Sequence, residues 1–242
     1  MSHEMARNNR LLAITTLAFG CATAQDEAFT NPSRAPRIFG SSGRGSVYVV
    51  MGDSTAAGRG ANYEKGIAIA TAQHMATSHR VVLTNLGVSG ARLRDVVTEQ
   101  LAAAEQLRPD VVLISVGAND VTHLTPLRSM KTSLLEILRR LRRSNENVAI
   151  VVTGSPEIGA PPRVPRVLRP VASARTRLVN EMFRAVAADE HVTLAPIADL
   201  TGPLFRKDRS LFAGDRFHPN ERGYATWINV LNRSLGDALA GQ

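Results

Sequence analysis

Val111-Val112-Leu113-Ile114-Ser115-Val116 is a β-forming run with no solvent-facing alternation. A strand apolar on both faces has to be covered on both, which is the condition of a central strand in a parallel sheet flanked by helices. Four further runs sit at suitable spacing: Tyr48-Val49-Val50-Met51, Val81 to Leu86, Val148 to Thr153 and Val192 to Ala195. Helical stretches are predicted between them at about 65–77, 93–106, 126–144 and 173–189, with a closing helix after Pro219. In the third of these, Leu127, Met130, Leu134, Ile137, Leu138 and Leu141 recur at helical spacing and predict a core-facing stripe. Strand and helix thus alternate in βαβ fashion, and a three-layer α/β/α sandwich with a parallel sheet of about five strands is expected.

The first three strands end alike. Gly52-Asp53-Ser54-Thr55, Gly87-Val88-Ser89-Gly90 and Gly117-Ala118-Asn119-Asp120 are glycine-containing turns with polar side chains. In an open parallel sheet these turns share the carboxyl edge, where such folds bind ligands.

Composition limits the alternatives. The 242 residues are 44% hydrophobic, enough for one sizeable core. The formal charge of +8 is carried mostly by arginine, lysine standing only at Lys65, Lys131 and Lys207. Aromatic residues are only 5%, and Arg139, Arg140, Arg142 and Arg143 fall on the polar side of one predicted helix, so no nucleic-acid partner is expected. The glycines after Ser54 fit neither the phosphate-loop nor the dinucleotide pattern.

The amino terminus reads as a separate unit. Arg7 and Arg10 precede an apolar run from Leu11 to Gly20 and then Ala22-Thr23-Ala24, the pattern of a cleavable export signal over 1–24. The run is too short for an integral membrane span. A periplasmic or secreted protein is expected, with the cytoplasm as alternative. Cys21 is the only cysteine, so no disulfide forms within the chain. Residues 25–45 are rich in Pro, Gly, Ser and Arg and read as a linker, with the folded domain over 46–242.

Near the carboxyl end, Asp215-Arg216-Phe217-His218-Pro219 sets an acid three residues before a histidine. Both side chains can project from one loop toward Ser54. A serine hydroxyl is a poor nucleophile without a base, and the base needs a partner that fixes its tautomer. Ser54, His218 and Asp215 supply these roles. The backbone N–H groups of Ser54 and Gly87 and the side-chain amide of Asn119 are candidate oxyanion donors. Each also has a structural reading: Gly87 as a turn glycine, Asn119 as a helix cap, Asp53 and Asp120 as residues that bond their own loops. His123 falls close to the Asn119 turn, with surface or core duty as the alternative. Arg92 and Arg163 suit either solvation or an anionic substrate.

Gly52-Asp53-Ser54, Gly87 in Asn85-Leu86-Gly87, Gly117-Ala118-Asn119-Asp120 and Asp215-Arg216-Phe217-His218-Pro219 resemble, in order, the four sequence blocks of the SGNH hydrolases, also called GDSL esterases and lipases. The resemblance spans about Ser46 to Asn232. It implies a flavodoxin-like fold, no metal and no cofactor, Ser54 as nucleophile, His218 and Asp215 as base and acid, and Ser54, Gly87 and Asn119 as oxyanion donors. It implies a small-molecule or lipid-like ester as substrate. Simple esters, lysophospholipids, acyl thioesters and acetylated sugars all fall within that range. After Ser54 the chain has Thr55-Ala56-Ala57, where family members often carry a hydroxyl and a larger apolar residue. The apolar loop from Gly154 to Pro170 is either a flap over an acyl chain or a packed crossover. Two other classes are a metal-dependent phosphoesterase using Asp53, Asp120, Asp215 and His218, and a binding domain that has lost catalysis.

Overall fold

The computed structural model describes residues 29–41, 43 and 45–241; the expected export signal at 1–24 lies outside the described residues. In chain order the elements are β1 (Arg37–Phe39), β2 (Ser46–Gly52), α1 (Ile67–Met75), β3 (Val81–Asn85), α2 (Leu93–Glu99), α3 (Leu101–Leu107), β4 (Val111–Ser115), α4 (Ala118–Thr122) and α5 (Leu127–Ser144). There follow β5 (Ala149–Val152), α6 (Arg169–Asp189), β6 (Thr193–Leu194), α7 (Ile197–Lys207) and α8 (Glu221–Ala240).

The sheet has six strands in the order β1-β3-β2-β4-β5-β6, and all pairs except β1 with β3 are parallel. Apart from β1, this is the doubly wound order of flavodoxin-like folds, with the switch point between β2 and its neighbours. The sixth strand is the difference from the sequence reading. Arg37–Phe39 lies in the stretch read as linker, yet it pairs antiparallel with Val81–Leu83. The Arg37 guanidinium also meets Glu64 at 2.5 and 3.0 Å.

Within β2 the side chains alternate although nearly all are apolar. Val49 and Met51 enter one core with Val112, Ile114 and Ile150 beneath α2, α3, α5 and α6. Tyr48 and Val50 enter the other with Leu113 and Val151 beneath α1, α7 and α8. The period-2 pleat is thus what gives a uniformly apolar strand two buried faces.

The arginine side of α5 is surface, as expected, and it is paired. Arg140 Nε donates to Glu105 at 2.9 Å, and Arg139 and Arg142 both meet Glu190. Met130, Leu134, Ile137, Leu138 and Leu141 are fully buried on the opposite side.

Two helices depart from expectation. The predicted helix at 93–106 is two, α2 and α3, broken at Gln100. The Gln100 side chain is fully buried and turns to β2, accepting from Gly52 N–H and donating to Gly52 C=O, both at 2.8 Å. α7 is the second departure, since no helix is predicted between Ala195 and Pro219 and this one contains Gly202 and Pro203. Its Ile197, Thr201, Gly202 and Phe205 are buried, and that burial overrides the breakers. Among the described residues no helix is long and apolar enough to cross a membrane.

Candidate active site

β2 has to end at a glycine. Gly52 has φ +135°, and a Cβ there would stand 1.8 Å from Ser115 O. The chain then folds into a tight turn. Asp53 N–H donates to Ser115 O at 2.9 Å, and Asp53 Oδ1 accepts from both the N–H and the hydroxyl of Thr55 at 2.8 Å. Asp53 is therefore the frame of the turn. Its other oxygen is buried without a partner among the described residues, and burial pushes its carboxyl up to about 6.

This turn directs Ser54 Oγ to His218 Nε2, 2.8 Å away. The histidine comes from a loop closed at its base by the Phe212–Pro219 bridge and by Ala213 N–H to His218 O at 2.8 Å. Asn220 caps α8 through Gly223 N–H and fixes where that loop ends. Within it, Arg216 is left-handed at φ +59°, so the chain doubles back and Asp215 reaches His218. Asp215 Oδ2 lies 2.5 Å from His218 Nδ1, and Oδ1 accepts the N–H groups of Phe217 and His218 at 2.9 and 3.0 Å.

Burial pushes the Asp215 carboxyl up, but the His218 ring and the two backbone donors outweigh burial and hold it well below the usual carboxylate range. An ionised Asp215 only accepts, so Nδ1 carries the proton and Nε2 is free to accept from Ser54. Hydroxyl, imidazole and carboxylate thus form one chain. Arg59 Nε stands 4.0 Å from Asp215 Oδ2, and its Nη1 reaches Ser89 Oγ at 3.2 Å.

The expected oxyanion donors divide. Ser54 N–H has no acceptor among the described residues. Asn119 stands in the first turn of α4, after Gly117 at φ +129°, and one amide hydrogen goes to Ala91 O at 3.0 Å, leaving the other. Gly87 is a correction: its buried N–H already donates to Asn85 Oδ1 at 2.9 Å. The reason is close packing, because Asn85 also donates to Ala56 O and a Cβ on Gly87 would lie 2.8 Å from Ala56 Cβ. The small Ala56-Ala57 pair makes room for this turn and does not line the cleft beside the serine.

Gly90 presents a donor that the sequence reading did not name. Val88, Ser89 and Ala91 each direct their N–H to an acceptor, whereas Gly90, exposed at φ +91°, has none among the described residues. The signal was present as the second glycine of Gly87-Val88-Ser89-Gly90. Spacing alone could not choose between the two.

Asp120 is buried and accepts from Leu93 N–H at 3.0 Å, tying α4 to α2, and burial raises its carboxyl. His123 is exposed and meets Asn119 O through Nδ1 at 2.8 Å. Arg92 pairs with Asp95, and Arg163 N–H donates to Arg216 O. Among the described residues, no three His, Cys, Asp or Glu side chains are grouped so that they could hold a metal ion.

The mostly parallel sheet between two helical layers, with these blocks at the carboxyl ends of its strands and in the loop before α8, defines a three-layer α/β/α fold. The sequence model of the GDSL-like Lipase/Acylhydrolase family matches residues 50–226, and the chain belongs to that family. A GDSL-like esterase of Mycobacterium tuberculosis is 34% identical over 198 residues, covering 79% of this chain; the chain spans 62% of that relative's length. Among solved structures, TesA superposes with a TM-score of 0.66 at 18% identity, covering 79% of this chain and 99% of that one. The psychrotrophic esterase EstA from Pseudoalteromonas sp. gives 0.62 at 22%, covering 81% and 99%. These two likenesses concern the fold.

Proposed function

We propose that this protein is a serine-dependent carboxylic ester hydrolase working through Ser54, His218 and Asp215. The observation that carries the reading is the unbroken chain from Ser54 Oγ through His218 to Asp215, at 2.8 and 2.5 Å. Family membership and the esterase name of the mycobacterial relative support it.

Ser54 Oγ attacks the ester carbonyl carbon while its proton passes to His218 Nε2. The imidazolium faces an ionised Asp215, and the carbonyl oxygen becomes an oxyanion. Its donors are the N–H of Ser54, the second amide hydrogen of Asn119 and the N–H of Gly90, which takes the place expected of Gly87. The carbon–oxygen bond then breaks, and the His218 proton goes to the departing alcohol. Water repeats the sequence on the acyl-enzyme, releasing the acid and restoring Ser54.

Release of p-nitrophenol from its butanoate ester by wild type and Ser54→Ala, with and without EDTA, tests this reading. Turnover lost in the variant and indifferent to EDTA is expected. Turnover that survives in Ser54→Ala refutes the nucleophile, and turnover lost to EDTA and restored by a divalent metal favours the phosphoesterase class. The amino-terminal pattern supports export, and a fractionation blot finding only full-length protein in the cytosol would refute it.

A further inference from the structure

Beside Ser54 and His218 lies a cavity of about 30 Å³. Its walls are Ile158 and Pro161 from the loop after β5, Gly202 and Phe205 of α7, Phe212, and Trp227 of α8. One water needs about 10–15 Å³ measured in this way, so the space accommodates two or three heavy atoms.

The far wall is a ring cluster. Phe205 packs edge-on to Phe212 with centroids 5.1 Å apart and against Trp227 at 6.0 Å, while Tyr224 braces Trp227 at 5.7 Å. Phe205 and Trp227 are both buried. Such a wall has no slack for a lengthening chain.

The loop side is tied down as well. The Glu157 carboxylate accepts from Gly159 N–H at 2.9 Å, Ser173 Oγ at 2.7 Å and Arg206 Nη1 at 2.9 Å, so one side chain joins the loop to α6 and α7. Asn180 holds both the N–H and the C=O of Ser155, at 2.8 and 2.9 Å. α7 comes so near that a Cβ on Gly202 would lie 3.0 Å from Glu157 Cβ. The 155–161 part of the loop is therefore a packed wall of the cleft, while residues 165–167 are exposed.

We propose that this cavity is the acyl pocket and that it confines the enzyme to short acyl groups, from acetyl to butanoyl. The proposal rests on the serine-esterase reading above. Between acylation and deacylation the alcohol must leave and water must enter where it stood, so the alcohol takes the solvent side. The acyl group stays bonded to Ser54 throughout, and an apolar recess closed at its end suits the part that does not exchange. Carbon atoms beyond the third or fourth meet the Phe205–Phe212–Trp227 wall.

The experiment measures kcat/KM on p-nitrophenyl acetate, butanoate, octanoate and dodecanoate for wild type, Phe212→Ala and Phe205→Leu, with Ser54→Ala as the blank. Wild type is expected to lose at least about tenfold between butanoate and octanoate. Opening the end wall is expected to raise the octanoate-to-acetate ratio about tenfold in at least one of the two variants that melts cooperatively. Wild-type turnover of octanoate equal to or above that of butanoate overturns the proposal while leaving the serine-esterase reading intact. An unchanged ratio in both variants, each melting cooperatively, does the same. Should neither variant fold, the wild-type profile alone decides. Turnover of no ester above the Ser54→Ala blank overturns the esterase reading, and this proposal with it.

Discussion

Gln100 holds both ends of the Gly52 residue, accepting from its N–H and donating to its C=O at 2.8 Å each. Gly52 O also accepts Val88 N–H at 3.1 Å, so three segments meet at the glycine two residues before Ser54. The helix is broken at Gln100 for this contact, and the turn that carries the serine depends on it.

Gln100→Ala leaves the buried Gly52 N–H without an acceptor and opens a void. The expected cost is about 2–4 kcal/mol in urea unfolding at constant m-value. A loss below about 0.5 kcal/mol would show that water or a neighbour replaces the side chain.

Asn119→Ala removes the side chain proposed as an oxyanion donor. kcat is expected to fall about 10²–10³-fold with KM little changed, because the bond strengthens only as charge develops. A fall under threefold would take Asn119 out of the mechanism.

Asp215→Asn keeps an oxygen for the Phe217 and His218 N–H groups but loses the charge and sets an amide against His218 Nδ1. A fall in kcat of about 10³–10⁴-fold is expected, as the ring turns to the wrong tautomer. The depressed Asp215 carboxyl also stabilises the fold above about pH 4, and this contribution is lost as pH falls below the ordinary carboxylate range. Melting curves of wild type and variant should therefore converge in acid. A constant offset down to pH 2 would contradict this.

Asp53 works in the opposite sense. Its folded value of about 6 lies above the usual 3.8, so the folded chain holds the proton more tightly. The stability this supplies is complete below about pH 4 and lost as pH rises through 6, an effect of about 3 kcal/mol. Asp53→Asn keeps an acceptor for Thr55 and cannot ionise. Wild type should lose stability relative to the variant between pH 4 and 7 in thermal melts, and parallel curves would refute the buried proton.

Much of this architecture was legible in the chain. Val111 to Val116 announces a doubly covered strand, the α5 stripe faces the core as spaced, and Asp215 and His218, three residues apart, do meet from one loop. β1 was hidden because three residues in a Pro- and Gly-rich stretch carry no periodicity; their pairing depends on the open edge of β3. α7 was hidden because burial overrides Gly202 and Pro203.

Residue order alone determined which strands are central, where glycine must end them, which hydroxyl stands at one such end, and which imidazole and carboxylate share one later loop. These follow from side-chain periodicity, backbone sterics and short spacing, all of which act within a few residues. Only the tertiary structure decided that Gly87 gives its N–H to Asn85 while Gly90 keeps its own, that Gln100 reaches across 48 positions to Gly52, and that α7 and α8 wall the cleft beside Ser54. Those outcomes depend on which groups packing brings within hydrogen-bond reach, and segments distant in the chain carry no local sign of it.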